Sequence, residues 1–165
     1  MTAEATHDGV LRFLDALRAA EAAGAEVLEA WIAVCPLDGL RGGLRAIAER
    51  EAVHAELLAA RLCELGTAPA VELSEAVRAA ALACFGSAAV SDEEKIALVL
   101  ARYPDDSTAT RPIAGMIREL SDDPETCELL RLIGDGEAAT VAWLRAYHDG
   151  LARRGRSVPG LSLPP

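Results

Sequence analysis

Aromatic residues are scarce in this chain of 165 residues: two Trp, two Tyr and two Phe, or 4%, against 52% hydrophobic residues overall. An interior made mostly of Ala and Leu, with few β-branched runs, favours helix and excludes a sheet-based fold. The four cysteines, Cys35, Cys63, Cys84 and Cys127, show no CxxC spacing. That excludes a zinc ribbon or disulfide scaffold and leaves small buried side chains in a reducing compartment. Met1 to Gly9 lacks a basic region followed by an apolar run, so no signal peptide is expected. The most apolar window, Ala76 to Val90, carries Arg78 and is shorter than the roughly 20 residues that span a bilayer. Basic residues are few as well: 16 Lys and Arg against 26 Asp and Glu give a formal charge of −10, which argues against nucleic acid or an anionic membrane as partner. No Gly-rich phosphate loop, nucleophile elbow or catalytic Ser/His/Asp order is present. The expectation is one cytoplasmic all-α domain with no membrane span.

Apolar residues at alternating spacings of four and three mark the helices. In a first helix from about Asp8 to Val34 the seam is Val10, Leu14, Leu17, Glu21, Gly24, Leu28, Trp31 and Cys35. A single carboxylate interrupts it. Pro36-Leu37-Asp38-Gly39 turns the chain, with Asp38 as N-cap of a second helix from about Gly39 to Leu65, which stops at Gly66. Its seam is Leu40, Leu44, Ile47, Glu51, His54, Leu58, Leu62 and Leu65. Glu51 and His54 therefore stand where the pattern demands an apolar side chain, and polar groups there need partners or a metal. Arg12, Arg41, Arg45 and Arg50 fall off the seams and read as solvated.

Thr67 to Leu73 reads as a connector, followed by a short helix from Ser74 to about Phe85, so the chain returns along the bundle in a crossover. The third long element is interrupted: Asp92 to Tyr103 is helical, Pro104-Asp105-Asp106 breaks it, and Pro112 must fall in the first turn of the piece that resumes toward Leu120. After Ser121-Asp122-Asp123-Pro124 the last helix runs to about Leu151, with the seam Thr126, Leu130, Ile133, Glu137, Thr140, Leu144, Tyr147 and Leu151. An offset of 137 − 51 = 86 pairs Glu51 with Glu137 and His54 with Thr140. The same offset pairs Leu44 with Leu130, Ile47 with Ile133, Leu58 with Leu144, Leu65 with Leu151, Val10 with Ile96, Leu14 with Leu100, Val27 with Ile113 and Trp31 with Ile117. The two halves read as related helix hairpins.

A Glu on the first helix, a Glu-x-x-His thirty residues on (51 − 21 = 30), a long crossover and a repeated hairpin resemble the ferritin-like di-metal carboxylate proteins of the rubrerythrin and bacterioferritin type, over about Val10 to Leu151. The resemblance implies a four-helix up-and-down bundle with the crossover between its second and third long helices. It also implies a metal centre to which each half gives one Glu and one Glu-x-x-His. Glu21, Glu51 and His54 match the first half, and Glu137 matches the bridging Glu of the second. Thr140 replaces the second His, and Ser107 stands at the offset position of the remaining Glu, with Asp106 as its neighbour and a cap on the simpler reading.

The loss is one-sided, so the resemblance implies at most one divalent ion, iron, manganese or zinc, held by Glu21, Glu51, His54 and Glu137. Oxidase or peroxidase-type chemistry is the corresponding enzyme reading. The alternative is a metal-free interaction or structural module in which these Glu residues hold protons or pair with His54. Residues 1–152 form the expected bundle, probed at its apolar flank by a second copy in a homodimer. Residues 153–165, RRGRSVPGLSLPP, form a Pro/Gly-rich extended tail, loosely similar to the peptides that dock ferritin-like cargo on a shell protein.

Overall fold

The computed structural model describes residues 7–105, 107–120 and 122–156. Among them the chain is all-α, with no strand: α1 (His7–Val34), α2 (Asp38–Glu64), α3 (Glu75–Phe85), α4 (Asp92–Leu100), α5 (Arg111–Glu119) and α6 (Pro124–Arg156). No described helix is long and apolar enough to cross a membrane. The expectations for Asp106 and for the segment 157–165 lie outside the described residues.

Local chemistry sets each boundary. Pro36 offers no N–H and disfavours helical geometry at Cys35, so α1 stops. Arg41 Nη1 reaches back to the Cys35 carbonyl at 2.8 Å, satisfying an acceptor that the helix end leaves open. Asp38 is not the N-cap expected of it. Leu37 holds that place without a side-chain bond, and Asp38 sits in the first turn, where its charge suits the helix dipole and pairs with Arg41. Gly66, at φ 85°, ends α2 in a Schellman motif: Thr67 N–H donates to Leu62 O and Gly66 N–H to Cys63 O, both at 3.0 Å. Ser91 and Glu94 form a capping box on α4, Pro112 lies in the first turn of α5, and Asp123 accepts from Thr126 N–H at 3.0 Å to start α6. That last helix outruns its expected end at Leu151 by five residues, because Ala152 and the arginines that follow it are good helix formers.

The crossover lies against α1. Asp15 accepts from the N–H groups of Ala70 and Val71, each at 2.8 Å, while Arg18 donates to Asp15 and to the Val71 carbonyl. Burial works against an ionised Asp15, but the bonds from Ala70, Arg18 and Val71 outweigh it and hold the carboxyl below its usual range. Farther along, Arg78 of α3 pairs with Glu26, and Phe85 packs on Trp31 with ring centroids 5.5 Å apart. The chain thus travels the length of α1 before α4 begins.

Two apolar cores result, one at each end. The first gathers Trp31, Cys35, Leu40, Leu44, Ile96 and Leu144; the second gathers Val10, Leu14, Leu58, Leu62, Leu130 and Ile133. At the first, Trp31 Nε1 donates to Asp92 at 2.7 Å, and the fully buried Lys95 lies 5.9 Å from the centre of the Trp31 ring. The repeat can be read from these cores. Six of the eight apolar pairs named above place one member in each core, and so does a further pair at the same offset, Phe13 with Val99, whereas Ile47 and Val27 belong to neither core. Such an exchange is what a two-fold relation between the halves requires, with α1 packed on α2 and α6 packed on α4 and α5.

Candidate functional site

Between the two cores lies a polar waist. On α1 it falls between Leu17 and Leu28, on α2 between Ala48 and Leu58, and on α6 between Ile133 and Leu144. The residues at those levels are Glu21 and Gly24, Glu51 and His54, and Glu137 and Thr140. The seam spacing delivers them there, because a side chain in phase with buried leucines has no route to solvent. Glu21 is 5% exposed and His54 2%; Glu51 and Glu137 are half-buried.

Glu21 and His54 meet directly, His54 Nδ1 lying 3.1 Å from Glu21 Oε2. With Glu21 as a carboxylate, the shared proton sits on Nδ1. The Glu51 carboxylate lies flat against α1 at Gly24, where a Cβ would stand 2.1 Å from Oε2. Only glycine leaves that space. Burial is the main cause that pushes Glu51 up to about 8, reinforced by the charges of Glu137 and Glu21 and opposed by Arg50. Burial and Glu21 likewise raise Glu137 to about 7, against Arg50 and His54.

Two residues complete the waist that the seam pattern does not announce. Tyr103, in the turn after α4, is half-buried; burial and then the charges of Glu137, Glu51 and Glu21, against Arg102, push its phenol up. It belongs to the third element, where the 86-residue offset pairs it with Leu17. Arg50, expected in solvent, instead crosses to α6. It donates to Thr140 Oγ1, and its buried Nε has no partner. Gly136 makes the crossing possible, since a Cβ there would lie 3.1 Å from Arg50 Nε and 2.8 Å from His54 Cε1. A groove of about 520 Å³ between α2 and α6 leads down past Val53 and Leu132 to Arg50 and His54.

The remaining expected donors stay out. Ser107 is exposed and tied to Asp105 through its N–H at 2.9 Å, so Asp105 shapes a turn and the third element brings in no described carboxylate. Thr140 is engaged by Arg50. Among the cysteines, Cys35 and Cys127 are buried, Cys84 is half-buried, and Cys63 is exposed, contrary to its expected burial. His148, near the end of α6, is half-buried.

As a metal centre, this donor set fits in chemistry and only in part in arrangement. Two atoms bound to one ion at about 2.1 Å stand roughly 3.0–3.4 Å apart for octahedral or tetrahedral angles, so Glu21 and His54 at 3.1 Å already have the spacing of neighbouring ligands. A third donor is not gathered with them: among the described residues no group of three or more His, Cys, Asp or Glu side chains is arranged to hold a metal ion. Glu51 or Glu137 would have to turn from its present position to complete a site. No family model, no curated protein and no solved structure matches this chain.

Proposed function

We propose that the chain is a ferritin-like four-helix bundle, with its crossover between the second and third long elements, that holds at most one divalent ion at its waist. The observation that carries this reading is the buried Glu21–His54 pair set among two further carboxyls whose charges oppose one another. A divalent ion compensates such charge where water cannot. Glu21 and His54 are its terminal ligands, and Glu51 and Glu137 are the carboxylates that swing in. Iron or manganese suits this mix of oxygen and nitrogen donors, as does zinc. Bound iron would supply one-electron chemistry with oxygen or peroxide, and the single site does not provide the second metal that paired two-electron steps use. Tyr103 and the groove past Arg50 would then set what reaches the ion. A homodimer through an apolar flank is part of the same proposal.

A second reading, a metal-free structural or interaction module, draws support from the ungathered third donor. Metal content measured on protein purified without chelator separates the two. One iron, manganese or zinc per chain, lost in Glu51→Ala and in His54→Ala, supports the metal reading. Stoichiometry near zero, with no rise in melting temperature on adding Fe(II), Mn(II) or Zn(II), leaves the module, because an ion held only by the native state must raise its stability.

A further inference from the structure

The resemblance assigns Arg50 no role, yet Arg50 ties together the features at which the second half departs from the first. Its guanidinium lies against α6 at Thr140, the position of the missing second His, and is bonded to the hydroxyl there. At the 86-residue offset Arg50 pairs with Gly136, the residue whose lack of a side chain admits it. A Cβ at 136 would crowd both Arg50 Nε and His54 Cε1, at 3.1 and 2.8 Å. The two substitutions in α6, a small residue at 136 and a short acceptor at 140, are therefore both explained by one long cation from α2.

We propose that the Arg50 guanidinium is a built-in cation occupying the second-metal half of the waist. Its positive charge works on both Glu51 and Glu137, and His54 stands beside it, both side chains crowding the space over Gly136. A guanidinium keeps its charge at every physiological pH and presents a fixed fork of donors. It thus offsets part of the negative charge of the two carboxylates without any ion. The inference deepens the one-metal reading: with Arg50 in place a second ion is repelled, and the first binds more weakly than the donor set alone would allow.

The test is Mn(II) binding to the full chain by calorimetry and by electron paramagnetic resonance, on the wild type, Arg50→Met and Arg50→Lys. Methionine keeps much of the side-chain length without charge. The expected result is that Arg50→Met binds Mn(II) about tenfold or more tightly, or gains a second ion, while Arg50→Lys stays close to the wild type. Equal binding by all three overturns the inference and leaves the one-metal reading intact. If the wild type binds no Mn(II), that reading fails, whereas a gain in Arg50→Met still supports the built-in cation and no gain overturns it. Should Arg50→Met fail to fold by circular dichroism, Arg50→Met/Glu137→Gln decides. Recovery of folding shows that Arg50 answers the Glu137 charge, and failure to recover overturns the inference.

Discussion

Replacing Glu51 by Gln should remove a pH dependence that the waist imposes on the whole molecule. The Glu51 carboxyl titrates at about 8 in the folded chain against an ordinary 4.5, so the native state binds a proton that the unfolded chain releases. Stability from this group is fully present below pH 4.5, declines as pH rises, and is gone above about 8. Each tenfold change in proton affinity is worth about 1.4 kcal/mol, which gives a ceiling of about 5 kcal/mol for a dry carboxyl. Water reaches this half-buried side chain, and about 2–3 kcal/mol is the expected size after screening. The assay is urea unfolding from pH 5 to pH 9 with chelator present. The wild type should lose stability across that range, and Glu51→Gln should lose less and exceed the wild type at pH 9. Glu137, at about 7, leaves a smaller residual slope, since the two carboxyls titrate as a coupled pair. The depressed carboxyls Asp15 and Asp123 change charge below this window and do not contribute to it. A wild-type stability that is flat or rises from pH 6 to pH 9, or a Glu51→Gln profile that follows it, would refute the reasoning.

Three further outcomes are expected. Gly43→Ala drives a Cβ to 2.1 Å from Trp143 Cζ2. The rigid indole cannot yield, so α2 and α6 must part, at a cost of about 1–3 kcal/mol seen in the urea midpoint. Asp15→Ala frees the N–H groups of Ala70 and Val71; it should cost about 1–3 kcal/mol and open the 67–73 connector to limited proteolysis, while proteolysis unchanged from the wild type would argue against that anchoring role. Trp31→Phe removes the donor to Asp92 in the first core, and a loss of about 1–3 kcal/mol is expected. Asp92→Asn should then soften that loss, because the group left with only the weak Cys35 thiol donor is no longer a carboxylate.

The seams were readable because a period of seven leaves little freedom: Val10 to Cys35, Leu40 to Leu62 and Thr126 to Leu144 all turn to the interior, and Glu21 and His54 follow them into burial. The repeat was readable for the same reason, and the exchange of its pairs between the two cores gives it a physical meaning. Arg50 and Tyr103 were not readable. A long side chain next to the seam can swing over it when the facing helix presents glycine, and nothing in the phase of α2 reports what α6 presents at Gly136. Tyr103 lies past the last turn of α4, where helical phase no longer specifies direction. Gly24 stood on the seam in plain view, but its role as the bed for the Glu51 carboxylate depends on a contact between helices. Asp38 missed its cap because the helix starts one residue earlier, the Leu37 carbonyl accepting the first helical bond from Arg41 N–H at 2.8 Å.

The exchange of aligned residues between the cores has a mechanical consequence. Leu58 and Leu144 stand at matching offsets in opposite cores, as do Leu14 and Leu100, and each core draws on both halves of the chain. Neither hairpin can therefore loosen alone: truncating one of these residues weakens an end of the bundle that the other half also builds, and the two halves should unfold together.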